Sequence, residues 1–104
     1  MKVIYNDIIP FKGFLAVNLF GVVFARNKYN PLPDRVLNHE AIHTAQMKER
    51  LYVGFYLLYL FEWIVLLLQH RSLDKAYKGI SFEREAYENE ADYKYLEKRG
   101  KFGK

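Results

Sequence analysis

The chain has no cysteine, which removes disulfides, iron–sulfur clusters and thiolate zinc sites and leaves histidine and carboxylate as the only strong ligands for a transition metal. It also lacks a long run of like charge. Lysine and arginine gather around Arg26 and Lys28, from Arg71 to Lys78, and in the tail from Lys98 to Lys104, and the acidic residues of the last third are interleaved with basic ones. A net charge of +4 spread in this way argues against a nucleic-acid interface and leaves room for attraction to an anionic membrane surface. No internal repeat or low-complexity linker divides the sequence. With 104 residues the chain suffices for one compact domain spanning 1–104 and not for two, since domains most often run to about 100 to 150 residues. The opening segment, interrupted by Asn6, Asp7 and Pro10, lacks the charged-then-apolar layout of a signal peptide, so a cytoplasmic location is expected.

What the chain does have is apolar and aromatic side chains. Apolar residues make up 51% and aromatic residues 17% of it, enough to exclude the weakly hydrophobic, highly charged kind of disorder. From Met1 to Arg26 the pattern is β-like: Val3-Ile4-Tyr5, then Ile8-Ile9, then Phe14 to Ala25, punctuated by Gly13 and Gly21. Two prolines and several turn formers make residues 27–34 a loop, and Asp34 is placed to cap a helix running from about Arg35 to about Arg50. Residues Leu51 to Leu68 are apolar almost all round apart from Glu62, and a polar connector follows from Gln69 to Gly79. Ser81 is placed to cap a last helix that runs to about Lys98 and stops near Gly100. The expected fold is therefore α+β and mainly helical, a short N-terminal β element followed by three helices.

The chemistry concentrates at His39-Glu40-Ala41-Ile42-His43. On a helix, Val36, Glu40, His43 and Met47 fall along one stripe with His39 at its edge, at about 100° per residue. Histidines one turn apart present two nitrogens to one metal ion, and the Glu between them acts as general base on a water that the metal activates. The bland reading is two histidines that merely pack on a helix face. Catalytic zinc typically takes three protein ligands, so the motif needs one more. Thr44-Ala45-Gln46-Met47 follows His43 in place of a continuation with a further histidine, and His70 lies in the polar connector, which leaves a downstream carboxylate.

At this point the sequence resembles the gluzincin zinc metallopeptidases, in which a second helix supplies a Glu ligand from a Glu-x-x-Ala setting, often followed by Asp. More narrowly, HEAIHTAQ followed by AYKGISFEREAYENEAD is similar to small bacterial proteins that carry an HExxH segment and a later FEREAY segment. The resemblance covers about two-thirds of the chain, from Asn38 to Arg99. Two registers compete for the ligand. Glu83 stands in Glu83-Arg84-Glu85-Ala86 with Tyr87 where the group often has Asp, and Glu88 stands in Glu88-Asn89-Glu90-Ala91-Asp92, the closer literal match. On one continuous helix the apolar stripe would be Phe82, Ala86, Tyr93 and Leu96. Glu83 lies about 70° from its centre and Glu88 about 150° away, which selects Glu83. Glu90, on the same side, could orient a ligand histidine, whereas Glu85 and Glu88 read as an ordinary solvated face.

The resemblance implies a minimal gluzincin-like domain with Zn2+ on His39, His43 and Glu83, Glu40 as general base, and a peptide or protein as substrate. It also implies a donor to the developing oxyanion, for which Tyr87, Tyr93 and His70 are candidates, and an edge strand along which an extended peptide pairs. The alternative is a non-catalytic zinc-binding or membrane-associated interaction domain.

The apolar run bears on this choice. As a helix it is roughly 27 Å long, enough to span a bilayer. One crossing would place the histidines and Glu83 on opposite sides, so a shared metal and a simple span exclude each other. The run is expected as a core helix sandwiched between the two ligand helices and the sheet, with peripheral membrane contact left open.

Overall fold

A computed structural model of the chain describes residues 2–9 and 15–103. Gly13 and Phe14, at the opening of the expected second β segment, lie outside the described residues, as does Lys104. Three strands, β1 (Lys2–Asn6), β2 (Ala16–Leu19) and β3 (Val22–Arg26), form one sheet in the order β1-β3-β2. The short connection Phe20-Gly21 joins β2 to β3 antiparallel, with both residues at positive φ (53° and 89°) as a tight hairpin turn demands. The first strand adds to β3 in parallel register, Ile4 opposite Phe24. Alternation along β3 sends Val23 and Ala25 into a core with Leu32, against which Val36 and Leu37 pack. Residues Ile8-Ile9 form a bend and are exposed.

Helix α1 (Asp34–Glu49) carries the HEAIH segment and buries His39, Ile42, His43, Gln46 and Met47. Asp34 does not cap it. The cap position is Pro33, whose carbonyl accepts from Leu37 N–H, and Asp34 is the first helical residue, where a negative charge still favours the helix N-terminus. Leu51 and Tyr52, both at positive φ, turn the chain into α2 (Val53–His70).

The expectation that the apolar run would be a sandwiched core helix is corrected. Phe55 alone in α2 is fully buried, and Leu57, Leu60, Phe61, Ile64 and Leu68 are exposed. A single domain of this size lacks the mass to cover both faces of an 18-residue helix. The inner face packs Phe55 with Met47, Ile80 and Phe82 into a second core, joined by Tyr56, Tyr59, Trp63 and Leu66.

The connector contains helix α3 (Leu73–Gly79), capped by Ser72, whose side chain accepts from Lys75 N–H. Its seven residues are too short and too polar to show periodicity. Helix α4 (Ser81–Asn89) begins at Ser81 without a side-chain cap of its own. The cap comes from α2 instead: Glu62 accepts from Ser81 N–H at 3.0 Å and from its hydroxyl at 2.8 Å. This satisfies the mid-helix carboxylate at the positive end of another helix.

The single last helix expected over residues 81–98 is also corrected. The chain breaks after Asn89 and resumes as α5 (Tyr95–Lys98). Asn38 of α1 donates to the carbonyls of Asn89, Glu90 and Asp92 at 3.3, 2.8 and 3.0 Å, satisfying the groups that the break releases. Tyr93 is consequently 61% exposed rather than part of a core stripe. The architecture as a whole is α+β and mainly helical, with the sheet at the N-terminal end.

Candidate metal centre

Helices α1 and α4 bring His39, His43 and Glu83 together, all three buried. The two Nε2 atoms lie 3.1 Å apart, and Glu83 Oε1 is 3.2 Å from that of His39 and 2.9 Å from that of His43. Nitrogen and oxygen ligands at about 2.0–2.1 Å from a tetrahedral ion stand roughly 3.3 Å from one another, so the three atoms already mark out a coordination face.

Protonation follows from what the other ring nitrogens face. His39 Nδ1 is 3.1 Å from Glu90 Oε1, an acceptor. His43 Nδ1 is 2.8 Å from Gln46 Oε1. The Gln46 amide is oriented by its own donations to the Phe82 carbonyl at 3.0 Å and to Glu85 Oε1 at 2.9 Å, which fixes its oxygen toward His43. A neutral imidazole at either position would therefore carry its hydrogen on Nδ1 and aim the Nε2 lone pair at Glu83 Oε1, whereas a protonated one would donate to that oxygen. Two imidazole nitrogens and one carboxylate oxygen at these distances could hold a metal ion.

Charge sharing within the group agrees with this. Burial alone would raise Glu83, but hydrogen bonds with His39 and His43 and the His43 charge hold its carboxyl far below the usual range. Burial alone would lower His43, and the hydrogen bond and charge of Glu83 outweigh it, so His43 rises.

The surrounding residues divide into those expected and those not. Glu90 holds His39 with one oxygen, and its other oxygen lies 3.4 Å from Arg35 Nε. It reaches the site as the cap residue of α4, where the helix ends, not from a second turn of a continuous helix. Glu88 is exposed and outside the group. Glu85 is not a solvated surface carboxylate: Arg99 pairs with it through Nε and Nη2, and Tyr95 and Gln46 donate to it at 2.7 and 2.9 Å. That pairing depends on the helix break, which no periodicity announces. Tyr59 of α2 was missed as well; its hydroxyl donates to Glu83 Oε2 at 2.6 Å. An aromatic residue inside an apolar run gives no sequence signal that its hydroxyl has a polar partner.

A mostly apolar cavity of about 510 Å³ opens on the group. Strand β2, an edge strand of the sheet among the described residues, forms one wall; Phe55, Tyr56 and Tyr59 of α2 form another, and Tyr77 of α3 contributes to the lining. Glu40 also lines it. Burial raises the Glu40 carboxyl above its ordinary value, against the opposing charges of His43 and His39. Of the three donor candidates, Tyr87 packs edge-on against the His39 ring at 4.6 Å and bonds Tyr77 at 3.1 Å. Tyr93 and His70 are exposed and do not line the cavity. No protein-family model, no curated protein and no solved structure matches the chain.

Proposed function

We propose that the protein is a zinc-dependent hydrolase, a metallopeptidase of gluzincin-like design, with His39, His43 and Glu83 as ligands and Glu40 as general base. The observation that carries this reading is the convergence of two Nε2 atoms and one carboxylate oxygen beside an open cavity that all three residues line. Two histidines and a glutamate suit zinc in donor type, and three protein ligands leave a fourth position for water or substrate. The group numbers three among the described residues, which favours a catalytic site over a closed structural one.

When bound, zinc supplies Lewis acidity and acidifies a water molecule. The protein's own part is positional. His39 and His43 are held in one tautomer by Glu90 and Gln46, and Tyr59 fixes the second oxygen of Glu83. Glu40, with its affinity for a proton raised by burial, accepts a proton on the cavity side and can return it to a leaving amine. Strand β2, at the edge of the sheet among the described residues and beside the cavity, suits an extended peptide, whose main chain could pair with it. The hydroxyl of Tyr77, which lines the cavity and is hydrogen-bonded to that of Tyr87, is a candidate to donate to an oxyanion.

Metal content after exhaustive dialysis tests the site. About one zinc per chain is expected in the wild type and in Glu88→Ala, and loss in Glu83→Ala. Glu40→Gln should then retain zinc and lose hydrolysis of an unstructured protein such as casein. Zinc binding that survives Glu83→Ala would refute the ligand set, and full turnover by Glu40→Gln would refute the role of the base.

A further inference from the structure

We propose that the outer face of α2 docks in the plane of an anionic lipid bilayer. Val53, Leu57, Leu60, Phe61, Ile64 and Leu68 are between 45% and 73% exposed. On a helix they share one arc of about 100°, continuous over about 22 Å. The polar side chains in the first ten residues of α2 point the other way. Glu62 is turned inward onto Ser81, Tyr59 onto Glu83, and Tyr56 donates to the Asn18 carbonyl. The helix is thus apolar toward solvent and polar-tipped toward the protein, the inverse of a surface helix in water. The β2–β3 hairpin tip enlarges the patch. Phe20 is 61% exposed, packs edge-on against Tyr56 at 5.1 Å, and bonds its hydroxyl through the backbone N–H.

Charge at the two ends selects lipid over a second copy of this chain. Lys48 is exposed before the stripe, and Arg71 and Lys75 are exposed after it. The exposed acid nearby, Asp74, is paired with Lys78 at 3.3 Å. In a two-fold pairing of this stripe, parallel or antiparallel, a basic end meets a basic end. The phosphates of anionic lipid attract both ends together. The stripe also carries no hydrogen-bonding group, whereas protein interfaces average about one hydrogen bond per 100–200 Å².

Basic groups at both ends place both ends at headgroup level, so the helix lies flat and sinks its apolar arc about 5–10 Å into the headgroup–acyl boundary. A transverse orientation would carry the His39, His43 and Glu83 group on its inner face into hydrocarbon. The proposal does not rest on bound metal or on turnover.

The test is co-sedimentation of the full chain with vesicles of phosphatidylcholine alone and of phosphatidylcholine with phosphatidylglycerol. Oligomeric state is measured by light scattering without lipid, and folding of each variant is checked by circular dichroism. The expected result is binding to the anionic vesicles, weakened by salt, and reduced roughly tenfold or more by the double substitution Leu57→Glu, Phe61→Glu and by Arg71→Glu, Lys75→Glu. Both pairs are exposed, so the fold should persist. The idea is overturned by the absence of anionic-vesicle binding, by binding that the folded Leu57→Glu, Phe61→Glu variant retains in full, or by a wild-type dimer that this variant splits while no vesicle binding occurs.

Discussion

The hydroxyl of Tyr59 and the carboxylate of Glu83 lie 2.6 Å apart, joined by a hydrogen bond from the tyrosine to Oε2. Oε1 is the oxygen directed at the two histidines, so Tyr59 decides which oxygen is presented and at what angle. Replacing Tyr59 with Phe removes the donor and little volume. Zinc affinity should fall by about 10- to 100-fold, the usual effect of deleting such a supporting partner, while the metal-free protein loses about 1.5–3 kcal/mol, because the bond ends on a buried carboxylate. Competition with a chelating dye would measure the affinity, and an unchanged value would mean that Glu83 is oriented by packing alone.

Gln46 is 1% exposed and has both ends of its amide engaged, the oxygen with His43 and the nitrogen with Phe82 and Glu85. Gln46→Leu fits the space but removes a buried donor to Glu85 and the acceptor facing His43 Nδ1. We expect a loss of about 1–3 kcal/mol in urea unfolding together with weaker zinc binding. Lowered stability with intact affinity would show that the tautomer does not depend on Gln46.

The Glu85–Arg99 pair predicts a pH dependence. Burial raises the Glu85 carboxyl, but hydrogen bonds from Arg99, Tyr95 and Gln46 prevail and hold it below the usual range. A depressed carboxylate contributes stability that is present above its unfolded value, about 4.3, and is lost as pH falls through the lower folded value. Glu85→Gln leaves Arg99, which is 6% exposed in its side chain, with Glu49 as its remaining partner. It should cost about 3 kcal/mol near neutrality. The gap between wild type and variant should close as pH drops below about 4; a gap constant with pH would assign the effect to shape instead of charge.

Asn38 holds three carbonyls where α4 ends. Asn38→Ala should cost about 1–3 kcal/mol and raise amide hydrogen exchange locally from Asn89 to Tyr95. Because Glu90 lies in that segment and bonds His39, zinc affinity should weaken too. Exchange that rises evenly over the whole chain would argue against a local role.

How far the sequence could be read depended on whether a feature is local. The i, i+4 spacing of His39 and His43 and the period of α1 need only neighbouring residues, and the angle that separates Glu83 from Glu88 holds within the first two turns of α4. Features set by distant partners escaped. The end of α4 depends on Asn38, about fifty residues earlier; the cap of α4 is Glu62 and not Ser81; and Tyr59 reveals its role only once α2 lies beside Glu83. The placement of α2 escaped for another reason: an apolar run says that a helix avoids water without saying what covers it.

The bond from Glu62 to Ser81 and the bond from Tyr59 to Glu83 leave α2 one turn apart and land two residues apart on α4. Two such fixings act as a pair of dowels. One alone would let α4 pivot, whereas both together prevent it from sliding along its axis or rolling about it. The aim of a carboxylate in the candidate metal group is thereby set by a helix that contributes no ligand, so substitutions on the outer arc of α2 leave that aim untouched, whereas those at Tyr59 and Glu62 on its inner face disturb it.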